Sequence, residues 1–261
     1  MIATPRDAAT LILMRDAAGP ETGIEILLLR RHIKSAFMPG AYVFPGGRVE
    51  IADYTREVEI ICHGLGFQQA QNIITGTSPP EKGLGFFVAA IREAFEEAGI
   101  LLACREVPDL IAFKEEEKVR FAKYRRQIQR DPFCLAKIIE REGLKLATAN
   151  LFYFAHWITP EVSPLRFDTR FFVAVAPSKQ EALQDALETT AHIWITPQEV
   201  LKEYGISLPV PFATLSNITV LAQFTSVDEV IASTRSKEIP TIQPTVTLED
   251  GEIKCGIAEY R

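Results

Sequence analysis

A chain of 261 residues with 47% apolar side chains carries enough hydrophobic material for one large core or two small ones. A formal net charge of −6 excludes a global electrostatic pull toward nucleic acid, while leaving room for a local basic pocket that takes phosphates. No run approaches the roughly 18 apolar residues that a membrane span needs, and the four cysteines, Cys62, Cys104, Cys134 and Cys255, show neither metal-ligand spacing nor a disulfide frame.

Residues 8–14 are apolar and predict a strand, as do residues 24–29 after the turn-rich stretch 16–23. The pair predicts a hairpin that ends in Arg30-Arg31. Residues 41–44 predict a short strand entering Pro45-Gly46-Gly47, and residues 67–73 a helix before a loop at 77–80. A helix around Arg92 comes next. A very charged helix is expected over residues 115–129, then another over 132–142 with Pro132 in its first turn. Strands follow at 151–158, 169–176 and 192–195, and a helix at 197–204 behind Thr196 as N-cap. One or two helices within 211–233 and a hairpin around Glu249-Asp250-Gly251 close the chain. This order predicts an α/β/α sandwich around a mixed sheet. The N-terminal stretch is interrupted by Arg6, Asp7 and Arg15, so no signal peptide is expected. The ending Glu259-Tyr260-Arg261 is not a peroxisomal Ser-Lys-Leu address, and the expected location is cytoplasmic.

The chemistry concentrates between Arg92 and Ile100. Glu93, Glu96 and Glu97 stand at i, i+3, i+4 and share an arc of about 100° on one side of a helix. Like charges at that spacing repel. A hard divalent cation, which prefers several carboxylate oxygens, would offset that repulsion. Phe87, Ile91, Ala94, Phe95 and Ala98 project to the opposite side as a buried stripe, and Gly99 suits a C-cap. Taken alone, three glutamates are better explained by a solvated acidic face.

The string Arg92-Glu93-Ala94, Glu96-Glu97, Gly99-Ile100 resembles the second half of the Nudix box. That box marks hydrolases of nucleoside diphosphates linked to another moiety. The Gly-Gly turn of the first half is matched by Phe44-Pro45-Gly46-Gly47. Six residues after Gly47 the family has a glutamate, and this chain has Asp53, with Glu81 able to take the same role. Arg92 then arrives about 31 residues late, so an insertion over roughly 54–82 splits the box. Residues 36–50 and 157–174 resemble the branch of peroxisomal coenzyme A diphosphatases with an interrupted box and their bacterial relatives. The resemblance implies a single Nudix domain over 1–261, with a second, helical insertion over about 105–148.

It also implies a mechanism and a site. The expected activity is Mg²⁺- or Mn²⁺-dependent hydrolysis of coenzyme A or acyl-coenzyme A to 3′,5′-ADP and a 4′-phosphopantetheine species. ADP-ribose, a dinucleotide or a nucleotide sugar is the alternative substrate, and a non-catalytic nucleotide sensor the alternative class. Glu93, Glu96, Glu97 and the Gly46 carbonyl are the expected metal ligands. Arg92 would orient a ligand carboxylate through a salt bridge. The general base is left open between Glu93 and a carboxylate outside the box such as Glu188. Gly46 and Gly47 would let the backbone approach a phosphate. Arg30 and Arg31 would reach a phosphate or form a strand-end pair in solvent. Arg166, Asp168 and Arg170 alternate on one strand face and would line the pocket or form a wet edge. His32, His63, His156 and His192 lack ligand spacing, and Trp157 and Trp194 are expected to pack. The expected partner is a small-molecule diphosphate, with no nucleic acid and no membrane; a homodimer is compatible with the resemblance.

Overall fold

The computed structural model describes residues 2–18, 23–35, 38–107, 109–183, 189–235, 238–249 and 252–256. The chain opens with β1 (Arg6–Asp16) and β2 (Ile24–Arg31), antiparallel with Met14 opposite Ile26. β3 (Tyr42–Val43) pairs with β2, and β4 (Gly46–Arg48) with β1. A 3-10 turn at Ile51–Tyr54 leads into α1 (Arg56–Ile61) and α2 (Phe67–Ile73), and then α3 (Lys82–Ala98). β5 (Ala103–Cys104), α4 (Glu115–Arg130), α5 (Cys134–Arg141) and β6 (Lys145–Leu146) follow, with β5 and β6 paired as a small ribbon. β7 (Phe152–Ile158), β8 (Phe167–Val175) and β9 (Thr189–Ile195) return to the main sheet. α6 (Pro197–Glu203), α7 (Phe212–Leu221) and α8 (Val227–Thr234) precede β10 (Thr241–Ile242), β11 (Thr245–Glu249) and β12 (Glu252–Gly256).

The main sheet runs β10-β7-β8-β1-β2-β3, with β4 added on β1 and β9 on β2. β1 pairs parallel with β8 and antiparallel with β2, so the sheet is mixed. Alternation sorts its side chains onto two faces. Leu11 and Leu13 of β1, Leu27 and Leu29 of β2 and Phe172 of β8 join the cluster around α3. Ile12, Met14, Ile26, Leu28 and Val173 point the other way, against Val200, Ile218 and Val230 of α6, α7 and α8. Helices therefore cover both faces, as an α/β/α sandwich requires. Each such side chain contributes roughly 1.5–3 kcal/mol on burial. Among the described residues no helix is long and apolar enough to cross a membrane.

Several elements differ from the sequence expectation. β2 continues through Arg30 and Arg31 because β9 hydrogen-bonds along it as far as Thr189. α1 escapes a pattern search because six residues are less than two turns. α5 begins at Cys134, two residues beyond Pro132. Glu249 faces Glu252 across the closing hairpin, whose turn at 250–251 lies outside the described residues. The expected Thr196 cap is present, its hydroxyl accepting from the Glu199 N–H at 3.2 Å. Cys62, Cys104 and Cys134 are free thiols.

One feature of the sheet positions the site. β2 pairs with β1 only at residues 14–16 of the latter, and β4 occupies the same edge at residues 8–10. The Gly-Gly turn is thereby built into the sheet, directly under the C-terminal half of α3.

Candidate active site

α3 is buried over most of its circumference, including Arg92 and Glu97. Gly99 ends it at φ +70°, and the Ile100 N–H reaches back to the Ala94 carbonyl at 3.4 Å, a left-handed closure that favours glycine. β4 fits beneath it because its first two residues, Gly46 and Gly47, lack side chains. A Cβ at Gly46 would lie 2.6 Å from the Ala9 carbonyl oxygen and from Thr10 Oγ1. A Cβ at Gly47 would lie 2.3 Å from Glu93 Oε1. The Gly46 N–H donates to Glu97 Oε2 at 3.0 Å, tying the turn to the helix.

Arg92 organises the carboxylates. It is 2% exposed, and its five N–H groups all have acceptors. Nε and Nη2 donate to the two oxygens of Asp53 at 2.8 and 2.9 Å. Nη1 donates to Glu93 at 2.8 Å and to Glu96 at 2.9 Å, and Nη2 also to the Arg48 carbonyl at 2.8 Å. Asp53 is fully buried and accepts a further bond from the Glu50 N–H at 2.8 Å, which closes the 3-10 turn. Asp53 thus occupies the place for which the sequence left two contenders. Glu81, the other, is exposed at the start of α3. Arg92 lies between Asp53 and two of the three glutamates, so the expected salt bridge to a ligand carboxylate is made to Glu93 and Glu96.

The electrostatics follow from the count. Asp53, Glu93 and Glu96 crowd one guanidinium, and Glu97 lies on the neighbouring turn; all are mostly removed from water. Burial pushes the Glu93 carboxyl up to about 7; Arg92 opposes the shift and Glu96 adds to it. Burial works against the Arg92 charge, but Asp53 and Glu93 outweigh it and hold the guanidinium protonated. Burial likewise raises Asp53 above the usual aspartate range, against the pull of Arg92. Among the described residues no three His, Cys, Asp or Glu side chains converge on one metal-holding point. The physical reason is visible: Glu93 and Glu96 turn toward Arg92, and Glu97 toward the Gly46 N–H. The donor set, several carboxylates beside a backbone turn, is nevertheless the all-oxygen chemistry that Mg²⁺ and Mn²⁺ prefer. It carries the excess negative charge that a divalent ion would neutralise.

The four arginines expected to bind substrate separate. Arg31 stands opposite Thr189, whose hydroxyl donates to the Glu97 carbonyl at 3.3 Å, so it lies on the strand pair at the end of α3. Arg30 is exposed and its guanidinium lies 6.0 Å from the Tyr42 ring. Arg166 lies apart from the triad. It is 5% exposed and donates to the carbonyls of Thr159 and Ala3, each at 2.9 Å, and to Gln243 at 3.4 Å. Those contacts tie chain segments together, as a buried guanidinium requires. Arg170 pairs with Asp168 and stacks 4.6 Å over Phe86, which precedes Glu93 by two helical turns.

Asp168 in turn lies 2.5 Å from His156 Nε2, and His156 Nδ1 lies 2.8 Å from Thr241 Oγ1. This polar chain was not expected from sequence. Only the alternation of Asp168 and Arg170 hinted at it, and His156 is brought in by the pairing of β7 with β8. Trp157 packs edge-on against Phe212, and Trp194 lies under Arg15. Glu188, the other contender for general base, lies outside the described residues.

Similarity to known proteins follows the same pattern. A solved Nudix hydrolase from Alicyclobacillus acidocaldarius superposes with a TM-score of 0.71 at 24% identity, covering 89% of this chain and 97% of that one. The acyl-coenzyme A diphosphatase NUDT19 of Xenopus laevis is 29% identical over 259 residues, 87% of this chain and 68% of the relative. Its counterpart in Gallus gallus is 32% identical over 238 residues, 76% of this chain and 63% of the relative. This chain therefore spans about two thirds of the length of those proteins. The family model described as the NUDT19 Nudix domain matches residues 5–208, from β1 through α6 and across the whole site. The chain belongs to that family, and it is a Nudix hydrolase.

Proposed function

We propose that this hydrolase cleaves the diphosphate of coenzyme A or an acyl-coenzyme A, releasing 3′,5′-ADP and a 4′-phosphopantetheine species. The observation that carries the reading is the carboxylate wall of α3 pressed against a side-chain-free turn: a Cβ at Gly47 would run into the Glu93 carboxylate. The NUDT19 likeness supports the choice of substrate. Glu93, Glu96, Glu97 and the Gly46 carbonyl would hold Mg²⁺ or Mn²⁺, which when bound neutralises the diphosphate and polarises its phosphorus. Gly47 lets a phosphate approach the backbone, and Arg31 lies at the end of α3 where it can pair with one. Glu93, whose carboxylate lies against the turn at Gly47, is the proposed base that takes the proton from water. The water oxygen bonds to one phosphorus, the bridging P–O bond breaks, and the other phosphate leaves. Arg92, locked by Asp53, positions Glu93 and Glu96 rather than touching substrate. We place all of this within a single domain, with insertions over about 54–82 and 105–148.

The test is turnover of coenzyme A with Mg²⁺ and then Mn²⁺, read as 3′,5′-ADP by mass spectrometry, beside Glu97→Gln. Formation of 3′,5′-ADP that falls by about 100-fold or more in the variant is expected. Turnover of ADP-ribose or dinucleotides without coenzyme A cleavage would overturn the substrate. Ligand retained without turnover of any of these would overturn the enzymatic reading.

A further inference from the structure

A cavity of about 580 Å³ lies at the β7 edge of the sheet. That volume is within the range of small-molecule sites. Ile73, Ile74 and Thr75, from the insertion that splits the box, form one wall. Glu238, Ile239 and Thr241, beyond α8, form another. Between them Phe87, Tyr153, His156 and Arg170 make the floor. Two elaborations of the fold, far apart in sequence, therefore meet around one space.

The cavity sits within reach of the candidate metal site. Gly47 pairs with Ala9, and Ala9 with Arg170, so Arg170 is two strand spacings, about 10 Å, from Gly47. Along α3, Phe87 precedes Glu93 by six residues, about 9 Å. A diphosphate held at Gly47 and Glu93 would leave a linked group about that distance to cover. A pantetheine arm, whose backbone matches about four extended residues or roughly 14 Å, spans it.

The lining indicates which end of the substrate fits. Arg170 is 8% exposed, and among the described residues its Nε–H has no acceptor. A buried donor of this kind costs free energy until an acceptor arrives. The guanidinium charge is already met by Asp168, and at the rim Arg235 and Glu238 carry opposite signs. The lining thus offers little excess positive charge for a phosphate dianion. It offers hydroxyls on Thr75, Tyr153 and Thr241, with apolar surface from Ile73, Ile74 and Phe87. Neutral amides and a hydrocarbon tail match that mixture.

We propose that this cavity holds the pantetheine–thioester arm of an acyl-coenzyme A, an assignment that rests on the substrate reading above. The Arg170 Nε–H donates to an amide carbonyl of the arm, and the apolar wall takes the acyl chain. The insertion is then a specificity element that selects what is attached to the diphosphate.

Two measurements test this separately from the hydrolase reading. The first is binding of S-hexanoyl-pantetheine, which has no diphosphate, by ligand-observed NMR without metal. Wild type is expected to bind it, and Thr75→Trp, a substitution at an exposed position that fills the mouth, to lose the signal. Absence of binding to wild type overturns the cavity assignment whether or not coenzyme A is cleaved. The second is turnover of hexanoyl-coenzyme A by Thr75→Trp, with KM expected to rise about tenfold and kcat to change less than about twofold. An unchanged KM overturns the assignment. So does a loss that is equal for free coenzyme A and its esters and vanishes with dephospho-coenzyme A, which would give the cavity to the 3′-phosphate. Failure of wild type to cleave any coenzyme A species, with S-hexanoyl-pantetheine still bound, would sink the proposed function and leave the cavity standing.

Discussion

Replacing Asp53 by alanine removes the partner that fixes Arg92. Two charge-assisted bonds from Arg92 and one backbone bond from Glu50 are lost in a site with no solvent access to Asp53. Breaking a buried ion pair costs about 3–5 kcal/mol. The lower end applies, because Glu93 and Glu96 still accept from Nη1. A loss of about 3 kcal/mol corresponds to a fall of about 6–12 °C in Tm for a chain of this size. The freed guanidinium also competes for Glu93 and Glu96, so metal affinity should fall about 10–100-fold, as when outer-shell partners are removed. Glu81→Ala is the control, with an expected effect within about 0.5 kcal/mol. Urea unfolding followed by circular dichroism measures the stability, and titration with Mn²⁺ the affinity. An Asp53→Ala protein as stable as wild type, or a larger loss in Glu81→Ala, would refute the assignment of Asp53.

Gly47→Ala forces a methyl into the Glu93 carboxylate, and displacing that group by about 1 Å should lower kcat/KM by about 100-fold with the fold retained; activity within a few-fold of wild type would show that Glu93 need not stay there. Arg166→Ala should cost about 1–2 kcal/mol by orphaning part-buried carbonyls, with kcat/KM unchanged; a raised KM at unchanged stability would return Arg166 to the substrate. Asp168, although burial raises its carboxyl, is held below the ordinary aspartate range by His156 and Arg170. Because its folded value is the lower one, its contribution is complete above the unfolded value near 3.9 and is lost as pH falls through the folded value. The urea-midpoint difference between wild type and Asp168→Asn should be largest at neutral pH and shrink on acidification. A difference independent of pH would contradict the sign.

The residues legible in the sequence were those whose spacing is local. Glu93, Glu96, Glu97 and Gly99 announce themselves because one helix sets their geometry. The sandwich was likewise readable from the apolar run of β1 and from the order of elements. Asp53 was half legible: its offset from Gly47 pointed to it, but only the closure of the 3-10 turn and the Arg92 pair exclude Glu81. Arg166 and Arg170 looked equivalent on one strand face, and their partners, Ala3, Thr159 and Gln243 against Asp168 and Phe86, are matters of tertiary packing. The chain from Arg170 to Thr241 needed strand register, which no local pattern encodes. The turning of Glu93 and Glu96 toward Arg92, rather than toward a common point, is a balance of charges and was equally out of reach.

The split between Asp53 and Arg92 also bears on when the site comes into being. The hydrogen bonds that define it join residues 39 and 51 positions apart, from Asp53 to Arg92 and from Gly46 to Glu97. Contacts of such sequence separation pay loop-closure entropy before they return any stability, which slows the step that makes them. A partly assembled chain, with α3 helical but not docked on β4, would have its glutamates without their turn. Cation capture would then report completion of the native state rather than its nucleation. By mass action it would also draw the population toward that state and guard the most charged part of the interior against local opening.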